Sequence, residues 1–239
     1  MKFERPIEYA EKTLVQNILD GTFTIGERLP PERELADQMG VTRPTLREAI
    51  RHLEQEGWLL VRQGKPTLVR DFWREGGLTV LNRIIQHEGH IKPIFITNAL
   101  ELRLLLAPTY TRDAVENNPE KILARLNQKP DLDAAPVVYA IFDWELQRDL
   151  TVASANVMYS LILNGFAGVY EKLAYLYFQH AEARATSYAY YVELYETARN
   201  EDSARAYDLT REVMEMSIQH WRRATEGLTR IPLEESASS

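Results

Sequence analysis

The sequence predicts a mainly α-helical protein with one small β-hairpin in its first third. Two observations carry this. From Leu78 onward apolar residues recur at helical spacing almost throughout, and no β alternation of useful length follows residue 70. Before that point, the run from Leu59 to Val69 turns at Gly64, which is a hairpin pattern. The expected architecture is an N-terminal module of short helices with this hairpin, then an all-α bundle of about six or seven helices. Its expected boundaries are 1–72 for the module, 73–91 for a linker with a connecting helix, 92–230 for the bundle and 231–239 for a frayed tail.

Each element has a local reason. Ile7, Ala10, Leu14, Ile18 and Leu19 fall near one face of a helix that Gly21 stops. Ile25 to Leu29 reads as a short extended link around Gly26. Pro30-Pro31 opens a second helix, where a missing N–H costs little, and Gly40 ends it. Thr42 has the hydroxyl to cap a third helix, which Gly57 ends. Leu46, Ile50 and Leu53 form its core face, leaving Arg43 and Arg47, spaced i, i+4, together on the other. Trp58 to Val61 begins the hairpin, and Gly64 permits its tight turn.

Asp71 to Gly77 marks the boundary. Leu78, Leu81, Ile84 and Ile85 give the stripe of the connecting helix. Helices are then expected over Phe95 to Val115, Val137 to Ala153, Val157 to Tyr177, Thr186 to Arg199 and Ser203 to Thr225. Turns fall at Asn117-Asn118-Pro119, Gln128 to Asp131 and Asn200 to Asp202.

Composition narrows the class. There is no cysteine, which removes disulfides and thiolate chemistry and fits a reducing cytoplasm. The start, Met1 to Pro6, lacks the apolar run of a signal peptide. No apolar stretch approaches the ~20 residues of a membrane helix, so the expected location is cytoplasmic. The net charge of −7 argues against indiscriminate nucleic-acid binding, but residues 41–70 carry six Lys/Arg against three Asp/Glu. A locally basic module on an acidic body suits selective DNA binding.

Two short helices joined by a Gly-containing turn and followed by a basic hairpin make a winged helix-turn-helix. Such a recognition helix sets its first turn against base edges, where arginine is the usual bidentate donor to guanine. Arg43 and Arg47 meet that need, Thr42 and Thr45 suit phosphate or methyl contacts, and Arg33 can reach the same groove or its rim. A solvated amphipathic helix with scattered arginines is the competing explanation. The Gln63-Gly64-Lys65 turn, a basic wing tip beside a basic helix, weighs against it.

Pro31-Glu32-Arg33-Glu34-Leu35-Ala36, Val41-Thr42-Arg43, Thr45 to Ala49 and Glu56-Gly57-Trp58-Leu59 resemble the GntR family of bacterial transcription regulators. Val61 to Val69, Phe72-Trp73, Val152 to Asn156 and Leu161 to Gly165 extend the likeness to its fatty-acid-responsive FadR type, from about residue 7 to Trp221. The resemblance implies a homodimer on a palindromic operator in double-stranded DNA, regulating fatty acid metabolism as repressor or activator. Recognition helices would enter the major groove and wing tips the minor groove. The matching contact residues are Arg33, Thr42, Arg43, Thr45, Arg47, Gly64 and Lys65. Pro44 and Gln63 depart from the pattern, which has threonine and histidine there.

The resemblance further implies a long-chain acyl-CoA effector, held by Arg103, Asn164, Tyr170, Ser217 and Trp221. Arginine can pair with the CoA phosphates, tryptophan offers a flat face to adenine or pantetheine, and apolar helices can take the chain. Met214 stands where the pattern has glycine. Sensing of a small organic acid or another lipid is the alternative. Many relatives bind a metal through an Asp and three His. Here the Asp is Asp143, but Gln147 holds the first histidine position, the second falls near Tyr191, and residues 210–217, the region of the third, contain no histidine. No metal or other cofactor is therefore expected.

An enzyme is not expected either. No nucleotide-binding glycine loop, nucleophile elbow or cysteine nucleophile is present, and Asp143 and Glu145 point to different faces of one helix. A helical interaction module with a basic arm would explain the bundle but not Thr42 to Arg47 with the wing.

Overall fold

Pro6 opens α1 (Pro6–Leu19), whose buried face of Ala10, Leu14, Val15 and Ile18 packs on α3 (Arg43–Glu56). The structure is a computed structural model and describes residues 5–87, 90–91, 93–228 and 231–232. Glu11 is buried on the same face, which the apolar pattern alone does not announce. Its partners are His52 and Arg83, each at 2.7 Å. α2 (Glu32–Met39) ends at Gly40 and α3 ends at Gly57, both left-handed at φ 65° and 96°. Thr42 caps α3, its hydroxyl accepting from the Thr45 amide at 3.3 Å. Burial of Leu46, Ile50 and Leu53 turns Arg43 and Arg47 to solvent.

The hairpin is β1 (Leu59–Leu60) against β2 (Leu68–Val69), antiparallel, with Leu59 opposite Val69. The extended link joins it. Gly26 donates to the Val69 carbonyl and Leu29 to that of Thr67, both at 2.9 Å. That covers an edge which would otherwise be left open.

Within residues 71–77, read as a boundary, residues 72–75 form a helical turn. α4 (Phe72–Glu75) is capped by Asp71 and seats Phe72 on Trp58, with ring centroids 4.8 Å apart. α5 (Leu78–His87) comes immediately after. Val80 and Ile84 take its inner positions, while Leu78 and Leu81 of the expected stripe are half-buried. The side chain of Ile85 lies outside the described residues. Gly76 permits the close packing here: a Cβ there would stand 2.3 Å from the Phe72 carbonyl oxygen and 2.8 Å from Val80.

The chain divides into two compact units, Met1–Gly89 and His90–Ser239. Seven helices are described in the second: α6 (Pro93–Asn117), α7 (Pro119–Leu126), α8 (Pro136–Ala153), α9 (Val157–Gly165), α10 (Ala167–Phe178), α11 (Ala181–Arg199) and α12 (Ser203–Ala224). Four of these, α7, α9, α10 and α11, differ from expectation. The single helix from Val157 to Tyr177 is two, α9 and α10, separated at Phe166. Gly165 precedes the break, and glycine is a weak helix former. α7 was not expected, although Asn118 caps it through the Lys121 amide and Pro119 opens it. α11 begins at Ala181 rather than Thr186.

β3 (His90–Ile91) pairs antiparallel with β4 (Ile231–Pro232). Residues 231 and 232 of the expected tail are therefore paired, and Glu234 to Ser239 lie outside the described residues. Among the described residues no helix is long and apolar enough to cross a membrane.

Candidate DNA-reading face and effector cavity

Arg33, Thr42, Arg43, Arg47, Gly64 and Lys65 are exposed in the first unit, and Thr45 is half-buried. Arg43 stands at the start of α3, where unpaired amides and the helix dipole favour an anion such as phosphate. The Thr42 and Thr45 hydroxyls bond each other at 2.8 Å, which orders the entry to that turn. Gly64 sits at φ 71°, and the Lys65 amide closes the wing tip by donating to the Arg62 carbonyl at 3.0 Å. Among the described residues no ion pair holds Arg33, Arg43 or Lys65, whereas the Arg47 Nε donates to Glu32 Oε2 at 2.6 Å.

The second unit contains a partly open cavity of about 90 Å³ between α6, α8, α9 and α10. Its lining is apolar, including Ile96, Leu106, Ile162, Leu163 and Phe166, with Arg103 and Asp143 as the charged members. These two meet at 3.3 Å, Arg103 Nη1 to Asp143 Oδ2, and Arg103 lies over the Tyr170 ring at 5.4 Å. Tyr170 donates to Asp143 Oδ2, and Tyr191 to Oδ1 at 3.1 Å. Tyr110 donates to Gln147 Oε1 at 2.5 Å.

Burial pulls the Arg103 guanidinium down, but the neighbouring Tyr170 and Asp143 outweigh it and hold the guanidinium well above its ordinary value. Burial likewise pushes the Tyr170, Tyr191 and Tyr110 hydroxyls up, and that of Tyr190 to about 12. The cluster is therefore one internally neutralised pair ringed by neutral phenols.

This places the expected effector residues apart. Arg103 and Tyr170 line the cavity, but Arg103 is already engaged by Asp143 inside the bundle rather than free for phosphates. Asn164 is exposed on α9. Ser217 is buried on α12 beside Tyr177, whose hydroxyl burial pushes up while Ser217 opposes it. Trp221 lines a second cavity of about 250 Å³ with His180, Glu182, His220 and Arg223. Tyr177, which the sequence does not set apart from its aromatic neighbours, lines both cavities. Met214 is buried on α12 and is not part of either lining.

Asp143, Gln147 and Tyr191 do converge, with Gln147 Nε2 donating to Asp143 Oδ1 at 3.5 Å. Here the cation beside Asp143 is a guanidinium. Among the described residues no group of three or more His, Cys, Asp or Glu has the geometry to hold a metal ion. The side chains of His87 and His90 lie outside the described residues.

The chain matches two descriptions in turn, the second beginning inside the first compact unit. Residues 6–69 match "Bacterial regulatory proteins, gntR family", and residues 70–231 match "FadR C-terminal domain". The chain is a FadR-type member of the GntR family. Among similar FadR-type chains is a fatty acid metabolism regulator protein from Shewanella pealeana, 40% identical over 81% of each chain. Another, from Edwardsiella ictaluri, is 34% identical over 96% of each. The solved structure of Lar from Listeria monocytogenes shares the fold, with a TM-score of 0.53 at 18% identity over 93% of this chain and 99% of that one. DNA binding through the winged helix is thus the family property of the first unit.

Proposed function

We propose that this regulator binds a palindromic operator as a dimer, controls fatty acid metabolism, and is released from DNA by long-chain acyl-CoA. The single observation that carries the effector is the apolar cavity under α9. At about 90 Å³ it is smaller than the ~150 Å³ that holds one benzene, so burying a long chain there requires a wall to move. α9 is the wall that yields, because it fully buries none of its side chains. Binding and conformational change are thereby one event. Burial contributes about 0.8 kcal/mol per methylene, so a ~16-carbon chain offers on the order of 10 kcal/mol gross. Moving a two-state equilibrium from about 1:99 to 99:1 takes roughly 5.5 kcal/mol of differential binding.

The second cavity, with His180, His220, Arg223 and Trp221, has the chemistry for a phosphorylated, aromatic headgroup. Tyr177, shared by both linings, would lie where chain meets headgroup. A small organic acid is less well served, since Arg103 is already neutralised by Asp143.

The test is a gel-shift titration on a site selected from a randomised duplex library. Oleoyl-CoA is expected to dissociate the complex, while free CoA leaves it intact. Undiminished binding at saturating oleoyl-CoA would sink the acyl-CoA assignment; release by oleate alone would point to another lipid. Sedimentation and footprinting check the dimer and the palindrome. On the DNA side, Arg43→Ala is expected to weaken specific binding by about 1–3 kcal/mol and relax one base position. Lys65→Ala is expected to weaken binding uniformly and to lower the salt dependence by roughly one counterion.

A further inference from the structure

We propose that Glu32 is a positioning residue that orients Arg47 for base reading. The inference rests on the assignment of Arg47 to a base edge. Glu32 opens α2, and Arg47 stands one turn into α3. The Arg47 Nε donates to Glu32 Oε2 at 2.6 Å. A guanidinium carries five donors in a planar fork, so a carboxylate at Nε leaves the terminal nitrogens available. Those terminal donors are the ones that match guanine O6 and N7. The carboxylate fixes the plane of the fork before DNA arrives, which reduces the ordering cost on binding.

Stability does not account for the pair. The Arg47 and Glu32 side chains are 68% and 41% exposed, and an exposed ion pair contributes little to folding. A carboxylate next to a DNA-reading surface also repels phosphates and weakens association. Arg33, Arg43 and Lys65 have no such partner among the described residues, so of these four cations Arg47 is the one held in advance.

The experiment compares wild type, Arg47→Ala, Glu32→Ala and Glu32→Gln on a randomised duplex library. It reads base preference by position, affinity for an unrelated duplex, and the thermal midpoint. Arg47→Ala is expected to erase the preference at one position of each half-site. Glu32→Ala is expected to weaken that same position about fivefold and leave the others unchanged. Its affinity for the unrelated duplex rises severalfold, because one negative charge leaves the phosphate surface. Glu32→Gln keeps an acceptor oxygen and retains part of the preference, with the same rise in non-specific affinity.

A uniform loss across all positions with a lowered midpoint in Glu32→Ala overturns the proposal in favour of a structural role. A preference lost in Arg47→Ala but untouched in Glu32→Ala overturns the role of Glu32 alone. A preference intact in Arg47→Ala overturns the base-reading assignment and the proposal with it.

Discussion

Asp143→Ala is expected to destabilise the helical unit by about 3–5 kcal/mol, measured by urea unfolding monitored by circular dichroism. Asp143 is 4% exposed, and it accepts from Tyr170 and Tyr191 while facing Arg103 at 3.3 Å. Its removal leaves a buried guanidinium with no counter-charge and two phenols without their acceptor. Arg103 Nε already has no hydrogen-bond partner among the described residues, which leaves little compensation within the cluster.

The double variant Arg103→Leu/Asp143→Leu is expected to be closer to wild type than Asp143→Ala, because it removes both charges and keeps apolar volume. The difference measures the coupling. A wild-type midpoint in Asp143→Ala would show that the pair does not hold α6 to α8. The same cluster lines the cavity, so the double variant also reports function. Under the proposed acyl-CoA control, retained DNA binding with altered release would place this pair in the sensing step.

Trp58→Ala is expected to cost the N-terminal unit about 3–5 kcal/mol and to abolish operator binding near the lowered midpoint. Trp58 has no exposed surface and packs on Phe72 at 4.8 Å, at the point where α3 hands over to the wing. Its amide donates to the Leu53 carbonyl, and its own carbonyl accepts from Arg70, both at 2.9 Å. Loss of the indole frees α4 from the hairpin and the hairpin from the recognition helix. Trp58→Phe is expected to cost much less. It leaves a smaller void and sacrifices no hydrogen bond, because the indole Nε1 has no partner among the described residues. Calorimetry and gel shift on the same preparations check both variants. Equal losses in the two would argue against a cavity as the cause.

Local signals were the legible part of this chain. Thr42 as a cap, Gly40 and Gly57 as helix ends, and Gly64 as the wing turn each act within a few residues, and each stands where its chemistry requires. The apolar spacing of Leu46, Ile50 and Leu53 already implied that Arg43 and Arg47 face outward. Weaker signals were overridden. Continuous apolar periodicity from Val157 to Tyr177 hid the break at Phe166, and the short α7 fell between two turn motifs. Periodicity records which face is buried, but a break inside an apolar run leaves that record unchanged.

The sequence by itself determined a basic winged module, a helical bundle and the exposed cations of that module, because all of these come from spacing within one element. Tertiary structure alone decided the partners. It set Arg103 against Asp143 rather than leaving it free, tied Arg47 to Glu32, buried Glu11 against Arg83 and His52, and put Tyr177 in the lining of two cavities. For the charged contacts the physical reason is the same. A charged side chain gives its type and its face in the sequence, but its counter-charge comes from another helix. Only the packing of the two helices brings them within a hydrogen bond of each other.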